Sequence, residues 1–236
     1  MKPRTTLAET PLPDGSSLCL QEHDGRLALL IHGQQICGPA TRAVEEELAR
    51  LACAPFRPAR QPKILLIGLG LGQTLGAVGT ELKQKRGSWL VAEPMQALVE
   101  WHRRHLPDSP LLNDSRAQLD GQGSPADLIR LKGQLHAILL HLDFAPMSPR
   151  QQPWVEDRAW LAAAHEALQD GGLLAIAASR RNARLPRLLA RSGFEVAEHE
   201  VVVAPNAKRQ RLAPVWLARK GGRSAAQGAP RSRKRD

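Results

Sequence analysis

The chain contains no tyrosine, and phenylalanine and tryptophan together supply only 3% of its 236 residues. So thin an aromatic supply argues against reading single-stranded nucleic acid on aromatic platforms, where each base needs a ring to lie on. Cysteine is as sparse. Cys19, Cys37 and Cys53 are odd in number, well separated and form no Cys-x-x-Cys pair, so neither a disulfide framework nor a zinc or other metal site is expected. No window approaches the roughly 18 uncharged apolar residues of a membrane span, and residues 1–14 have no apolar stretch like that of a secretory leader. A cytoplasmic protein without membrane contact is expected.

What is present is enough apolar residue for a core, 42% hydrophobic, in a length that suits one α/β domain with a small appendage. The net charge of +10 is unevenly spread: Arg219, Lys220, Arg223, Arg231, Arg233, Lys234 and Arg235 stand against one acid, Asp236, at the C-terminal end. A Gly/Ser/Pro/Arg segment without apolar periodicity cannot bury enough surface to order itself. Residues 221–236 are therefore expected to be a disordered basic tail, either touching RNA or another polyanion electrostatically or simply solubilising the chain.

The most informative stretch runs from Lys63 to Thr74. An apolar, partly β-branched run enters glycines at Gly68, Gly70 and Gly72, the pattern of a buried parallel strand breaking into a turn that approaches a phosphate or nucleoside. A missing Cβ allows positive φ and close backbone approach, and the following residues, 73–85, offer a helix N-terminus. A second apolar run, 88–91, ends near Glu93, about 20 residues beyond the last glycine, where an acid can accept both hydroxyls of a ribose. A dinucleotide fingerprint needs a third glycine where this chain has Gln73. The Gly-x-Gly-x-Gly spacing instead resembles the class I S-adenosylmethionine-binding fold; a tight strand-to-helix turn in some other α/β protein is the plainer alternative.

In chain order, residues 1–15 read as a loose lead-in. Residues 18–22 and 27–31 form a β-hairpin about Asp24-Gly25, a third edge follows at 34–37, and a helix over 42–53 carries Val44, Leu48 and Leu51 on one face. Glu45, Glu46 and Glu47 point in three directions, the usual pattern of a solvated face. The hairpin and helix make a unit over 16–56, and residues 57–220 make the main α/β domain. Helices are predicted at 95–105, 156–169 and 185–192, and strands near 117–119 and at 135–142, 173–178, 194–203 and 213–219. Such alternation means a doubly wound, mainly parallel sheet, which binds ligands at the carboxyl ends of its strands. Gly68, Glu93 and Asp143 would all sit there.

Asp24-Gly25-Arg26-Leu27 running into His32-Gly33-Gln34-Gln35, then Glu46 and Leu48, the glycine stretch and Glu93, together resemble the spermidine synthase (aminopropyltransferase) family, with element order alike over residues 17–219. The resemblance implies that Gly68, Gly70 and Gly72 hold the methionine-derived part of the cofactor, S-adenosylmethionine or its decarboxylated form. It also places Glu93 on the ribose, has Gln35 orient the cofactor and leaves the hairpin free to join two copies in a homodimer. The departures fall on the acceptor side. The family's Tyr-His-Glu lies on Val44-Glu45-Glu46, so Glu46 alone survives; its catalytic Asp lies on His141, with Asp143 two residues on, and a second Asp lies on Phe144. Aminopropyl transfer must deprotonate an amine and hold a polycation between carboxylates. Asp143 or His141 could act as a displaced base, since both share a face if the segment is extended; a histidine on an apolar strand can also be a packed polar residue.

Methyl transfer asks for less, because a sulfonium is already activated and alignment supplies most of the acceleration. Residues 142–146, Trp154, Gly193-Phe194 and Lys208-Arg209 also resemble the methyltransferase domain of bacterial tRNA wobble-uridine modification enzymes, which carries an extra glycine before its Phe. The expectation is an S-adenosylmethionine-fold transferase, moving methyl rather than aminopropyl. Aminopropyl transfer and a non-catalytic protein that binds RNA or protein are the alternatives.

Overall fold

The chain opens with four antiparallel strands in the computed structural model, which describes residues 3–144, 152–203 and 211–221. β1 (Thr5–Pro11), β2 (Ser17–His23), β3 (Arg26–Ile31) and β4 (Gln34–Cys37) pair in that order. The tight turn at Asp24-Gly25 takes left-handed φ at both positions, which sets the β2–β3 register from His23 opposite Arg26 to Leu18 opposite Ile31. The expected hairpin is thus half of a larger sheet, and the expected loose lead-in is a strand. β1 has little apolar content of its own; it is ordered by pairing with β2, and an edge strand tolerates Pro11 at its end.

α1 (Arg42–Cys53) follows and packs Val44 and Leu48 into the core. β5 (Lys63–Ile67) begins the main sheet. α2 (Gln73–Glu81), β6 (Ser88–Ala92), α3 (Gln96–His105), α4 (Pro110–Asn113), β7 (Ala117–Leu119) and α5 (Pro125–Arg130) carry the chain to one edge. β8 (Leu135–His141) then returns to the other side of β5. After α6 (Arg158–Ala167), β9 (Leu168–Ala177) pairs with β8 in parallel. α7 (Leu185–Arg191) leads to β10 (Phe194–Val202) and β11 (Leu212–Lys220), an antiparallel pair. The sheet order is β10-β11-β9-β8-β5-β6-β7.

β5 and β8 have helices over both faces, so they need no polar alternation and read as continuous apolar runs. Side chains on one face pack with the four-stranded sheet, α1, α2 and α3, including Leu75 and Trp101; those on the other pack with α5, α6 and α7, around Trp160 and Leu189. The order of strands reverses at β5, between β6 on one side and β8 on the other, which opens a crevice at their carboxyl ends. The registers align those ends: Ile67 lies opposite both Ala92 and Leu140, and His141 opposite Ala177. Among the described residues no helix is long and apolar enough to cross a membrane. The expected tail lies, from residue 222 onward, outside the described residues, as do Ala145-Pro146 and Lys208-Arg209.

Candidate functional site

Beyond β5 the chain turns through Gly68, Gly70 and Gly72, with φ of 86°, 55° and 80°. At Gly70 both conformation and space demand glycine, since a Cβ there would lie 3.0 Å from Phe144 Cε2 and 3.1 Å from Cys37 Sγ. Gly72 is the N-cap of α2, and its carbonyl accepts the Gly76 N–H. Gly68 N–H donates to Ala92 O, fastening the turn to β6.

Glu93 stands just past β6. Its Oε2 accepts the Leu69 N–H at 2.9 Å and its Oε1 the Met95 N–H at 2.9 Å, so it ties the glycine turn to the start of α3. Burial pushes this carboxyl above the usual glutamate range, and the two amide hydrogen bonds oppose that rise. Each oxygen keeps a second lone pair for a further donor. Nearby, the loop after β7 lies across the carboxyl ends of β5 and β6, where a Cβ on Gly123 would come within 3.0 Å of Ile67 and 3.5 Å of Ala92. Trp160 Nε1–H pins that loop by donating to Gly123 O at 2.8 Å.

His102, fully buried on α3, supports the turn from behind. Its Nε2 lies 2.9 Å from Gly70 O and its Nδ1 against Ser109 Oγ. Gly70 O can only accept, so Nε2 carries the hydrogen, and in the neutral imidazole Nδ1 then accepts the Ser109 hydroxyl, whose oxygen also accepts the Leu111 N–H. Burial lowers the pKa of His102, which keeps it in this neutral form. Sequence reasoning missed it; the available signal was helix phase, for His102 follows the buried Leu98 and Trp101 on the inward side of α3.

The glutamate run resolves by the same rule. Glu45 is the fully buried one. Its Oε1 accepts the Thr41 hydroxyl at 2.7 Å and its Oε2 the Thr74 hydroxyl at 3.1 Å, with Cys37 Sγ at 3.5 Å. Burial raises its pKa against those hydrogen bonds. Glu45 therefore joins α1, the end of β4 and the first turn of α2. Glu46, the residue singled out from the sequence, is exposed and pairs with Arg42 at 2.7 Å. It lines a cleft of about 550 Å³ beside Gly72 and Gln73, away from His141 and Asp143, which do not line it. Gln73 Oε1 is buried there without a hydrogen-bond partner among the described residues.

At the carboxyl end of β8 the strand ends at His141, and residues 142–144 turn. The extended segment that would have put His141 and Asp143 on one face is absent. The turn still brings them together: Asp143 N–H points to His141 Nδ1 at 3.4 Å, and Asp143 Oδ2 lies 3.7 Å from that nitrogen and accepts the Ser179 N–H at 3.0 Å. Since Nδ1 accepts from the backbone, the imidazole is neutral, and burial lowers the pKa of His141 against the opposing pull of Asp143. Phe144 stacks on His141 with centroids 4.7 Å apart and an interplanar angle of 8°, its edge against Gly70. Gly68, Gly70, Glu93, His141, Asp143 and Phe144 thus form one connected group.

Gln35 is not in that group. In β3 and β4, Leu29 pairs with Cys37 while Leu30 pairs with Gln35, so Ile36 is an extra residue, a β-bulge. Cross-strand partners share a face and successive residues alternate. Cys37 therefore faces the core and Gly70, and the exposed Gln35 faces the opposite side of the sheet, in a separate cavity. Among the described residues no cluster of three or more His, Cys, Asp or Glu could hold a metal ion.

A mainly parallel seven-stranded sheet with this order and this glycine turn is the Rossmann-like fold of class I methyltransferases. The crystal structure of precorrin-6y C5,15-methyltransferase from Geobacter metallireducens matches 76% of the chain and 87% of its own, with a TM-score of 0.55 and 16% identity. Spermidine synthases match further, through the N-terminal sheet as well. The enzyme from Thermotoga maritima covers 92% of this chain and 72% of its own at a TM-score of 0.69 and 16% identity. A spermidine synthase in complex with the transition-state analogue AdoDATO covers 92% and 74% at 0.67 and 15%. No family model matches the chain, and no curated protein matches it by sequence.

Proposed function

We propose that the protein is a transferase that uses S-adenosylmethionine and moves its methyl group rather than an aminopropyl group. The observation that carries this reading is the acceptor end of the site. A polycation would need carboxylates there, and the chain offers a neutral His141, the ring of Phe144 and Asp143, one oxygen of which is bonded to Ser179.

The residues fit the cofactor. Spare lone pairs on Glu93, left-handed glycines at 70 and 72, and the Gly123 loop across β5 and β6 suit a nucleoside laid over the carboxyl ends of those strands. S-adenosylmethionine, when bound, supplies a methyl group on a positively charged sulfur already activated for displacement. Glu93 accepts the ribose hydroxyls, the turn held by His102 and Glu45 fixes the depth of the methionine arm, and the ring of Phe144 offers its face to positive charge. Asp143, on the same turn as Phe144, accepts the proton that the acceptor gives up. Replacing Glu93 with Ala should weaken binding of S-adenosylmethionine by about 1.5–3 kcal/mol, the range for hydrogen bonds to charged groups; unchanged affinity in calorimetry would remove the ribose assignment.

Aminopropyl transfer is the second reading, favoured by the likeness to spermidine synthases through the N-terminal sheet. Calorimetric titration with S-adenosylmethionine and with its decarboxylated form separates the two, because the ligands differ by one carboxylate. Tighter binding of the ordinary form supports methyl transfer, and tighter binding of the decarboxylated form supports aminopropyl transfer. Binding of neither supports a non-catalytic protein that works by contact with RNA or another macromolecule. For the RNA alternative, deletion of residues 222–236 should lower RNA affinity and flatten its salt dependence.

A further inference from the structure

The four-stranded sheet has a second face, which carries Arg4, His23 and Arg26 at one end and Glu9, opposite Cys19, farther along. Turned away from the core-facing Leu20, Leu29 and Cys37, the partners Gln21 and Ala28, His23 and Arg26, and Leu30 and Gln35 share one side. With Arg4, just ahead of β1, they line a cavity of about 340 Å³ in which no carboxylate takes part among the described residues. That volume lies at the low end of small-molecule sites. Its polar groups are largely unspent. Arg4 and Arg26 have no ion-pair partner among the described residues, and neither does the Gln35 side chain have a hydrogen bond. His23 Nε2 is buried without a partner among them, while Nδ1 faces the Asp24 carboxylate at 3.8 Å. Gln21 Nε2 donates to Thr6 Oγ1 at 3.3 Å, which leaves its carbonyl oxygen to accept.

We propose that this cavity binds the phosphate group of a ribonucleotide, either a free mononucleotide or one unit of an RNA strand. Two guanidiniums present paired N–H groups of the kind that engage phosphate oxygens bidentately. His23 lines the cavity with them, the amides of Gln21 and Gln35 address ribose or base, and Leu30 and Ala28 give the floor an apolar patch. The seven basic residues and one acid from Arg219 onward account for +6 of the net charge of +10, and the remaining +4 still favours an anionic ligand. The site is on the face of the sheet opposite the glycine turn, so it does not depend on the transferase reading, and the bulge at Ile36 is what assigns Gln35 to it.

The test uses the full chain and three probes: adenosine 5′-monophosphate, unphosphorylated adenosine and a short oligouridylate. Affinity is read by calorimetry, and the Gln35 side-chain amide and His23 ring signals are followed by NMR. The expected result is that the mononucleotide or the oligouridylate shifts both signals, that adenosine does not, and that the double variant Arg4→Gln/Arg26→Gln binds roughly tenfold or more weakly. Binding of the mononucleotide alone assigns a free nucleotide, and binding of the oligouridylate alone, with the same loss in the variant, assigns RNA. The proposal is overturned if neither probe moves the two signals, or if the double variant, checked for native fold by circular dichroism, binds as tightly as the parent. S-adenosylmethionine affinity, measured alongside, should be the same in parent and variant; its absence in both would count against the transferase reading alone.

Discussion

Glu45 is an acid in a place that favours its uncharged form. Its pKa in the folded chain is raised above the ordinary glutamate value of 4.5 by burial, so the native state keeps this proton to higher pH than the unfolded chain does. The stability associated with that proton is fully present below the unfolded value and declines as pH rises through the raised one. Glu45→Gln should therefore gain stability relative to the parent as pH goes from about 4 to about 8, whereas Glu45→Ala, which strands the Thr74 hydroxyl and leaves a void, should lose about 2–4 kcal/mol. Urea unfolding across pH measures both, and a flat difference between parent and Glu45→Gln would mean that the buried acid is not perturbed. The sequence showed three adjacent glutamates and their divergence, but not which one faced inward. That depends on how α1 is rotated against α2, a tertiary fact. Glu93, by contrast, was legible because its distance from the glycines follows from the length of one strand-helix-strand unit.

At the scale of elements, the glycine turn is wedged between β4 and the segment after β8. Gly70→Ala would force a left-handed Ala and press on Phe144 and Cys37 together, for an expected loss of about 1–3 kcal/mol. Part of that loss should return in a Gly70→Ala/Phe144→Leu double variant, as a coupling above about 0.5 kcal/mol in a double-mutant cycle; strict additivity would mean that the ring does not crowd the turn. The buried strands β5, β6 and β8 were readable because they are short apolar runs ending in turn or acidic residues. The start of β9 was not. Asp170-Gly171-Gly172 reads as a helix stop, yet α6 ends at Ala167 and the strand begins at Leu168, carrying the glycines as an irregularity between Leu168 and Leu173. Glycine with left-handed φ serves a helix end and a bulge equally, so local sequence cannot separate them.

The molecule as a whole joins an antiparallel sheet to a larger, mainly parallel one, and the junction runs through the proposed cofactor site. Cys37 from the first sheet touches Gly70, and Glu45 links it to α2. A ligand seated on the glycine turn should thus stabilise both sheets in one transition. S-adenosylmethionine at about one hundred times its Kd adds about 2.7 kcal/mol, or roughly 5–10 °C in Tm for a chain of this size. Scanning fluorimetry with and without ligand checks this, and two separated transitions would mean that the sheets unfold independently. The bulge in β4 has a final consequence at this scale. Along a regular strand odd and even positions keep their sides, so one added residue changes the parity of everything beyond it. Ile36 is that residue: were it paired in the ladder instead of bulged, Gln35 and Cys37, two positions apart, would fall on one side, carrying an amide toward Gly70 or a thiol toward the arginines. A single irregularity of pairing, with no change of side-chain chemistry, is what sets these two residues, only two positions apart, on opposite faces of the sheet.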